Sequence, residues 1–118
     1  MKKIFGVLMG IGLMGFILSG CNNGSENNSA SASSQNKKDT VIIKMMAFNP
    51  DSITVNKGDT IVWINQDIVA HDVSHYPDRA WHSDTLQPND SFQKVIEDSS
   101  TYFCSIHPTM MGRYDVKK

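Results

Sequence analysis

The sequence predicts a small all-β domain, a sandwich or barrel, and three observations lead there. Short runs of β-branched and aromatic residues recur along residues 41–116 at close spacing. Clusters of Asn, Asp, Gly and Pro punctuate them. No stretch shows the 3.6-residue periodicity of an amphipathic helix of useful length.

The elements follow in order. VIIKMMAF (41–48) is β-branched at its start and is read as one strand, with Met45 and Met46 as strand residues. Asn49-Pro50-Asp51 ends it. Ile53 and Val55 alternate with polar neighbours, and Asn56-Lys57-Gly58-Asp59 is a turn signal. TIVWIN (60–65) is apolar on both alternating sets, Ile61 with Trp63 and Val62 with Ile64, as in a strand covered on both faces or central in a sandwich. SHYPDRAWHSDTLQPND (74–90) is turn-rich and without period, a loop with space for a helical turn. SFQKVI (91–96) reads as a strand, although Lys94 shares its parity with Phe92 and Ile96. TYFC (101–104) and RYDV (113–116) are short strands flanking CSIHPTMMG. Trp63 is expected in the core, with Trp81 packing a loop against it.

The chain start is of another kind. MKKIFGVLMGIGLMGFILSGC has a basic beginning, Lys2 and Lys3, and an apolar run from Ile4 to Leu18. That run is short of the roughly 20 residues of a spanning helix and is broken by glycines, so it reads as an export signal over residues 1–20. Leu18-Ser19-Gly20-Cys21 resembles the bacterial lipobox, which implies a cut before Cys21 and diacylglycerol on its sulfur. More than one acyl chain on that residue gives a stable anchor, where a single chain gives a marginal one. Residues 21–38 then form a tether: 22–38 hold no aromatic or β-branched residue and cannot bury a core. The expected location is extracytoplasmic, on the outer face of a membrane.

The 118-residue chain carries a net charge of −1. Its expected domain, residues 39–118, carries seven Lys and Arg against eleven Asp and Glu, a net of −4. No basic patch suggests nucleic acid. Of the two cysteines, a lipidated Cys21 leaves Cys104 without a disulfide partner in an oxidising compartment, so burial or a metal has to protect it.

CSIHPTMMG (104–112) crowds Cys104, His107, Met110 and Met111 into eight positions. Structural zinc wants four Cys or His ligands, usually as two pairs, and thioethers suit it poorly. Cysteine catalysis lacks an orienting acid and an oxyanion hole. Copper fits: one thiolate, two imidazoles and a long thioether bond make the trigonal electron-transfer site. The second imidazole comes from His71, His75 or His82, and His71, which follows TIVWIN and a short turn, is the best placed. His75 and His82 read as surface histidines or as a weaker second site with Asp78 or Asp84.

The segments FNPDSITVNKGDTIVWIN, AHDV, LQPNDSF and CSIHPTMMGRYDV resemble the cupredoxins, the small blue copper proteins, and are most similar to the amicyanin and plastocyanin branch. The resemblance covers residues 41–118 and implies a Greek-key β-sandwich or barrel. It implies one type 1 copper ion held by His71, Cys104, His107 and Met110, and no catalytic residues. It also implies an apolar docking patch around the His107 edge, with Pro108 and Met111 in it. Three departures stand out. Asp72 replaces the asparagine that braces the cysteine loop, so Ser105 or a backbone N–H has to be the donor. Asp98-Ser99-Ser100 replaces the usual turn glycine and first tyrosine, and Asn89 stands where glycine is common. The implied function is a monomeric, membrane-tethered electron carrier with transient redox partners. Copper capture and delivery with the same ligands is the alternative. An oxidase or nitrite reductase needs further copper centres and more than the four histidines present.

The lipobox reading has a direct check. Cys21→Ala is expected to prevent lipidation and membrane retention of a mature form, as detergent partitioning would show. A processed variant that stays with the lipid would refute it.

Overall fold

The computed structural model describes residues 35–118. The export signal, Cys21 and most of the tether lie outside the described residues, whose elements are all strands. They are β1 (Lys38–Lys44), β2 (Ala47–Asn49), β3 (Ser52–Val55), β4 (Thr60–Asn65), β5 (Ser74–His75), β6 (Ser91–Val95), β7 (Ser100–Phe103) and β8 (Met111–Val116). Two four-stranded sheets face each other, in orders β2-β1-β4-β6 and β3-β8-β7-β5. The chain passes repeatedly from sheet to sheet, which makes β1 parallel to β4 and β3 parallel to β8. This is the expected Greek-key sandwich.

The register fixes the two poles. Lys38 of β1 lies beside Thr60, and Ile43 beside Asn65, so β1 begins at the pole where β4 begins. The loops leaving β4 and β7 emerge at the other pole.

Strand β4 shows why the sequence reads as it does. Ile61, Trp63 and Asn65 point inward and are fully buried, while Thr60, Val62 and Ile64 are half-buried on the outer face between β1 and β6. Trp63 stands at the centre of the core. The Tyr102 ring meets it edge-on at 5.3 Å, and Phe48 meets Tyr102 edge-on at 4.8 Å. Each such pair contributes about 0.5–1.5 kcal/mol beyond its area. Trp81 lies over Phe92 at 6.5 Å, and Lys94 sits 5.1 Å from the Trp81 ring. The parity conflict at Lys94 is thereby resolved: its ammonium meets the Trp81 ring face.

Two expectations are corrected. Met45 and Met46 are not strand residues. They form a two-residue hairpin between β1 and β2, both left-handed, with φ of 54° and 58°. Such a turn asks for Asn-Gly or Asp-Gly, and a side chain there costs about 1–2 kcal/mol per residue. Segment 74–90 is also not plain loop. Ser74 and His75 pair with Phe103 and Tyr102, and single bridges join Ser74 to His82 and His71 to Leu86. Asn89, where glycine is common, adopts the left-handed conformation, at φ 75°. In place of the missing turn glycine, the Ser99 hydroxyl accepts the Val116 N–H at 2.9 Å.

Gly112 of β8 lies opposite Tyr102 of β7. A Cβ there would stand 2.3 Å from Tyr102 Cζ, inside any permitted contact, and Tyr102 is fully buried. Gly112→Ala is therefore expected to destabilise the fold by about 1–3 kcal/mol or more. Denaturant unfolding checks this; an unchanged midpoint would show that the ring has room to move.

A candidate copper centre at one pole of the sandwich

Residues 65–71 form the first wall. Asn65 ends β4 pointing inward, where burial obliges its amide to find partners. Its Nδ2 donates to the carbonyls of Val69 and Leu86 at 2.9 and 2.8 Å, and its Oδ1 accepts the Asp67 N–H at 2.9 Å. The turn is thereby stapled to the 74–90 segment. His71 completes the staple by exchanging backbone hydrogen bonds with Leu86 at 3.1 and 2.7 Å.

The fully buried His71 ring is oriented by Asp67, whose Oδ2 lies 3.0 Å from Nε2. An ionised carboxylate only accepts, so Nε2 carries the proton and Nδ1 presents its lone pair. Asp67 is held in turn by the N–H groups of Met46 and Ile68 at 2.9 and 2.8 Å. Hydrogen bonds from Met46, His71 and Ile68 keep its carboxyl down at about 2.

The second wall is the loop after β7. The N–H of His107 donates to the Cys104 carbonyl, that of Met110 to His107, and that of Cys104 to Met110, at 3.2, 2.9 and 3.1 Å. These bonds close 104–110 on itself. Cys104 and Met110 are buried, and His107 is half-buried with exposed Ile106, Pro108 and Thr109 beside it. Asp72 joins the walls. Its carboxylate accepts both the N–H and the hydroxyl of Ser105, the donor expected from the sequence. Its own N–H points at Cys104 Sγ at 3.4 Å.

Three donor atoms converge as a result. Cys104 Sγ lies 3.7 Å from His71 Nδ1 and 3.8 Å from His107 Nδ1, and the two nitrogens are 3.1 Å apart. The point equidistant from all three is about 2.1 Å from each, within the range of metal–nitrogen and metal–thiolate bonds. Facing lone pairs at that separation repel unless a proton or a cation sits between them. Burial pushes the Cys104 thiol up, against the pull of the Asp72, His107 and Ile106 N–H groups. Loading a metal therefore displaces a proton from sulfur. The donor set is soft, and thiolate with imidazole suits copper.

Among the described residues no other three His, Cys, Asp or Glu side chains gather this closely. His75 is turned to Asp78, and His82 Nδ1 donates to the Ser83 carbonyl at 2.9 Å. Asp67 and Asn65 were not singled out in the sequence. The signal for Asp67 is its place four residues before His71 in the same turn.

The sandwich and this donor set define a small copper-binding protein. The comparisons agree. The family model for copper binding proteins of the plastocyanin/azurin family matches residues 33–117, and the chain belongs to that family. Amicyanin from Paracoccus versutus is 23% identical over 81 residues, covering 64% of this chain. The match spans 61% of that relative's length. A purple cupredoxin from Nitrosopumilus maritimus superposes with a TM-score of 0.62 at 24% identity, covering 67% of this chain and 99% of that one. A copper-containing nitrite reductase from Thermus scotoductus gives 0.63 at 21% identity, over 69% of this chain but 22% of the enzyme. These structural likenesses concern the fold. Copper is the cofactor the family and the site require.

Asp67→Ala removes the acceptor that fixes the His71 tautomer. It is expected to weaken copper binding by about 10–100-fold, as loss of a histidine-orienting carboxylate does elsewhere. Competition against a chelator of known affinity measures this, and unchanged binding would show that Asn65 and Leu86 suffice to set the ring.

Proposed function

We propose that the protein carries single electrons as a type 1 copper protein, anchored to the outer face of a membrane through Cys21. One observation supports this most: the near-equilateral set of two imidazole nitrogens and a buried thiol sulfur, already at bonding spacing on a β-scaffold. Copper supplies the one-electron couple. The protein has to keep the ligands still between the two oxidation states, because any rearrangement adds to the barrier for transfer.

The residues divide that work. His71 is immobilised by Asp67 and Leu86, and Cys104 by the Asp72 N–H and its closed loop. Met110, buried in the same loop, would supply the thioether. His107 is the ligand that approaches the surface, and its exposed neighbours Pro108 and Met111 make an apolar rim for transient redox partners. The protein acts as a monomer. Copper delivery would use the same ligands, but burial of His71, Cys104 and Met110 favours retention of the ion over release.

Copper(II) is expected to give an intense visible band from thiolate-to-copper charge transfer, lost in Cys104→Ser with the fold intact. Met110→Gln, which offers a harder oxygen donor, is expected to lower the reduction potential and alter the spectrum. A colourless wild-type protein holding one copper ion would overturn the site. An intact chromophore with slow electron self-exchange and ready loss of Cu(I) at neutral pH would transfer the function to copper delivery.

A further inference from the structure

The β1–β2 hairpin breaks a local rule without a local reason. Both of its central residues are left-handed, yet both are methionines, where glycine or asparagine would be unstrained. Neither side chain is in the core: Met45 is 83% exposed and Met46 46%. Packing does not explain the choice of methionine at either position, and strain of this kind points to function.

The surroundings say which function. Met46 lines a groove of about 380 Å³ together with Phe48, Pro50, Thr109, Met110 and Met111. Met111 is 39% exposed, and Met110, the thioether expected to join the copper site, is buried. Met46, Met110 and Met111 therefore border one groove that reaches from the hairpin to the ligand loop. Thioethers are neutral, soft and unprotonated at any working pH. They select Cu(I) over hard cations and bind zinc poorly. The hairpin is also tied to the inner site, since Asp67 Oδ2 accepts both the Met46 N–H and the His71 ring proton.

We propose that Met46 and Met111 form a second, surface site for Cu(I), from which the ion passes by way of Met110 to the Cys104 site. The transfer is a ligand exchange. Bonds from Cu(I) to thioethers break, bonds to the Cys104 sulfur and the two imidazoles form, and the thiol proton leaves to solvent. No electron changes hands. The proposal rests on copper as the cofactor and on neither reading of its use.

The test is an anaerobic titration of the full chain with Cu(I) against a chromophoric Cu(I) chelator, begun with the inner site already filled. A further equivalent is expected, held more weakly than the first, with shifts in the methyl resonances of Met46 and Met111. The double variant Met45→Asn/Met46→Gly gives the turn the residues it prefers, so its thermal midpoint is expected to be equal or higher. Its affinity for the second equivalent is nevertheless expected to fall about tenfold or more, and the apo protein to load several-fold more slowly. Met111→Leu is expected to weaken the same equivalent. A wild-type protein that takes up one Cu(I) only, or a double variant that binds the second as tightly as wild type, would overturn the site and leave the methionines as a contact surface.

Discussion

The copper pole depends on one clamp between two loops more than thirty residues apart in sequence. Asp72 follows His71 directly and Ser105 follows Cys104 directly, so bonding Asp72 to Ser105 brings the two ligands together. The reciprocal contact, from the Asp72 N–H to Cys104 Sγ, aims the sulfur. Burial would raise the Asp72 carboxyl, but hydrogen bonds from Ser105, Ser74 and Cys104 outweigh it and hold the group below the usual carboxylate range. The clamp is therefore ionic. An asparagine could brace the same loop, but the aspartate adds a negative charge beside the thiolate. Such a charge favours the more positive oxidation state of any bound ion. The Arg79 guanidinium, 3.4 Å away and partly exposed, offsets part of it.

The scaffold makes the clamp possible by burying the bases of both loops. Trp63 and Tyr102 lie two residues before Asn65 and Cys104, so the aromatic pair at the core centre fixes the height at which each loop leaves its strand. Asn65 then carries that order into the turn with three hydrogen bonds from one buried amide. A group so embedded is stable because all its polar atoms are satisfied, and costly to alter for the same reason.

Much of this was legible in the sequence where the chemistry is local. Cys104, His107 and Met110 are set by spacing within one loop, and the Ser105 donor follows from a carboxylate having nothing to donate. TIVWIN announced a central strand because both of its faces are apolar. The hairpin was not legible, because turn residues announce turns by their conformational ease and Met45-Met46 has none. Residues of 74–90 gave no period because their pairing consists of β5 and single bridges, each too short to alternate. Asp67 and Lys94 were invisible for another reason: what they do depends on an imidazole and an indole brought to them by the fold.

The register of β1 has a consequence for access. The described domain begins at the pole opposite the ligands, since Lys38 lies beside Thr60 while the copper loops leave from the far ends of β4 and β7. A seven-residue strand spans about 23 Å, so point of attachment and redox centre are separated by most of the domain's height. For a domain leashed through its start, a freely diffusing partner meets the copper pole head-on. With the proposed lipid anchor, a partner embedded in the same bilayer would meet the opposite pole, and exchange with it would wait on the domain tipping over. The length of the Asn/Ser-rich leash would then set the reach and frequency of that somersault, and with it which of two competing partners is served first.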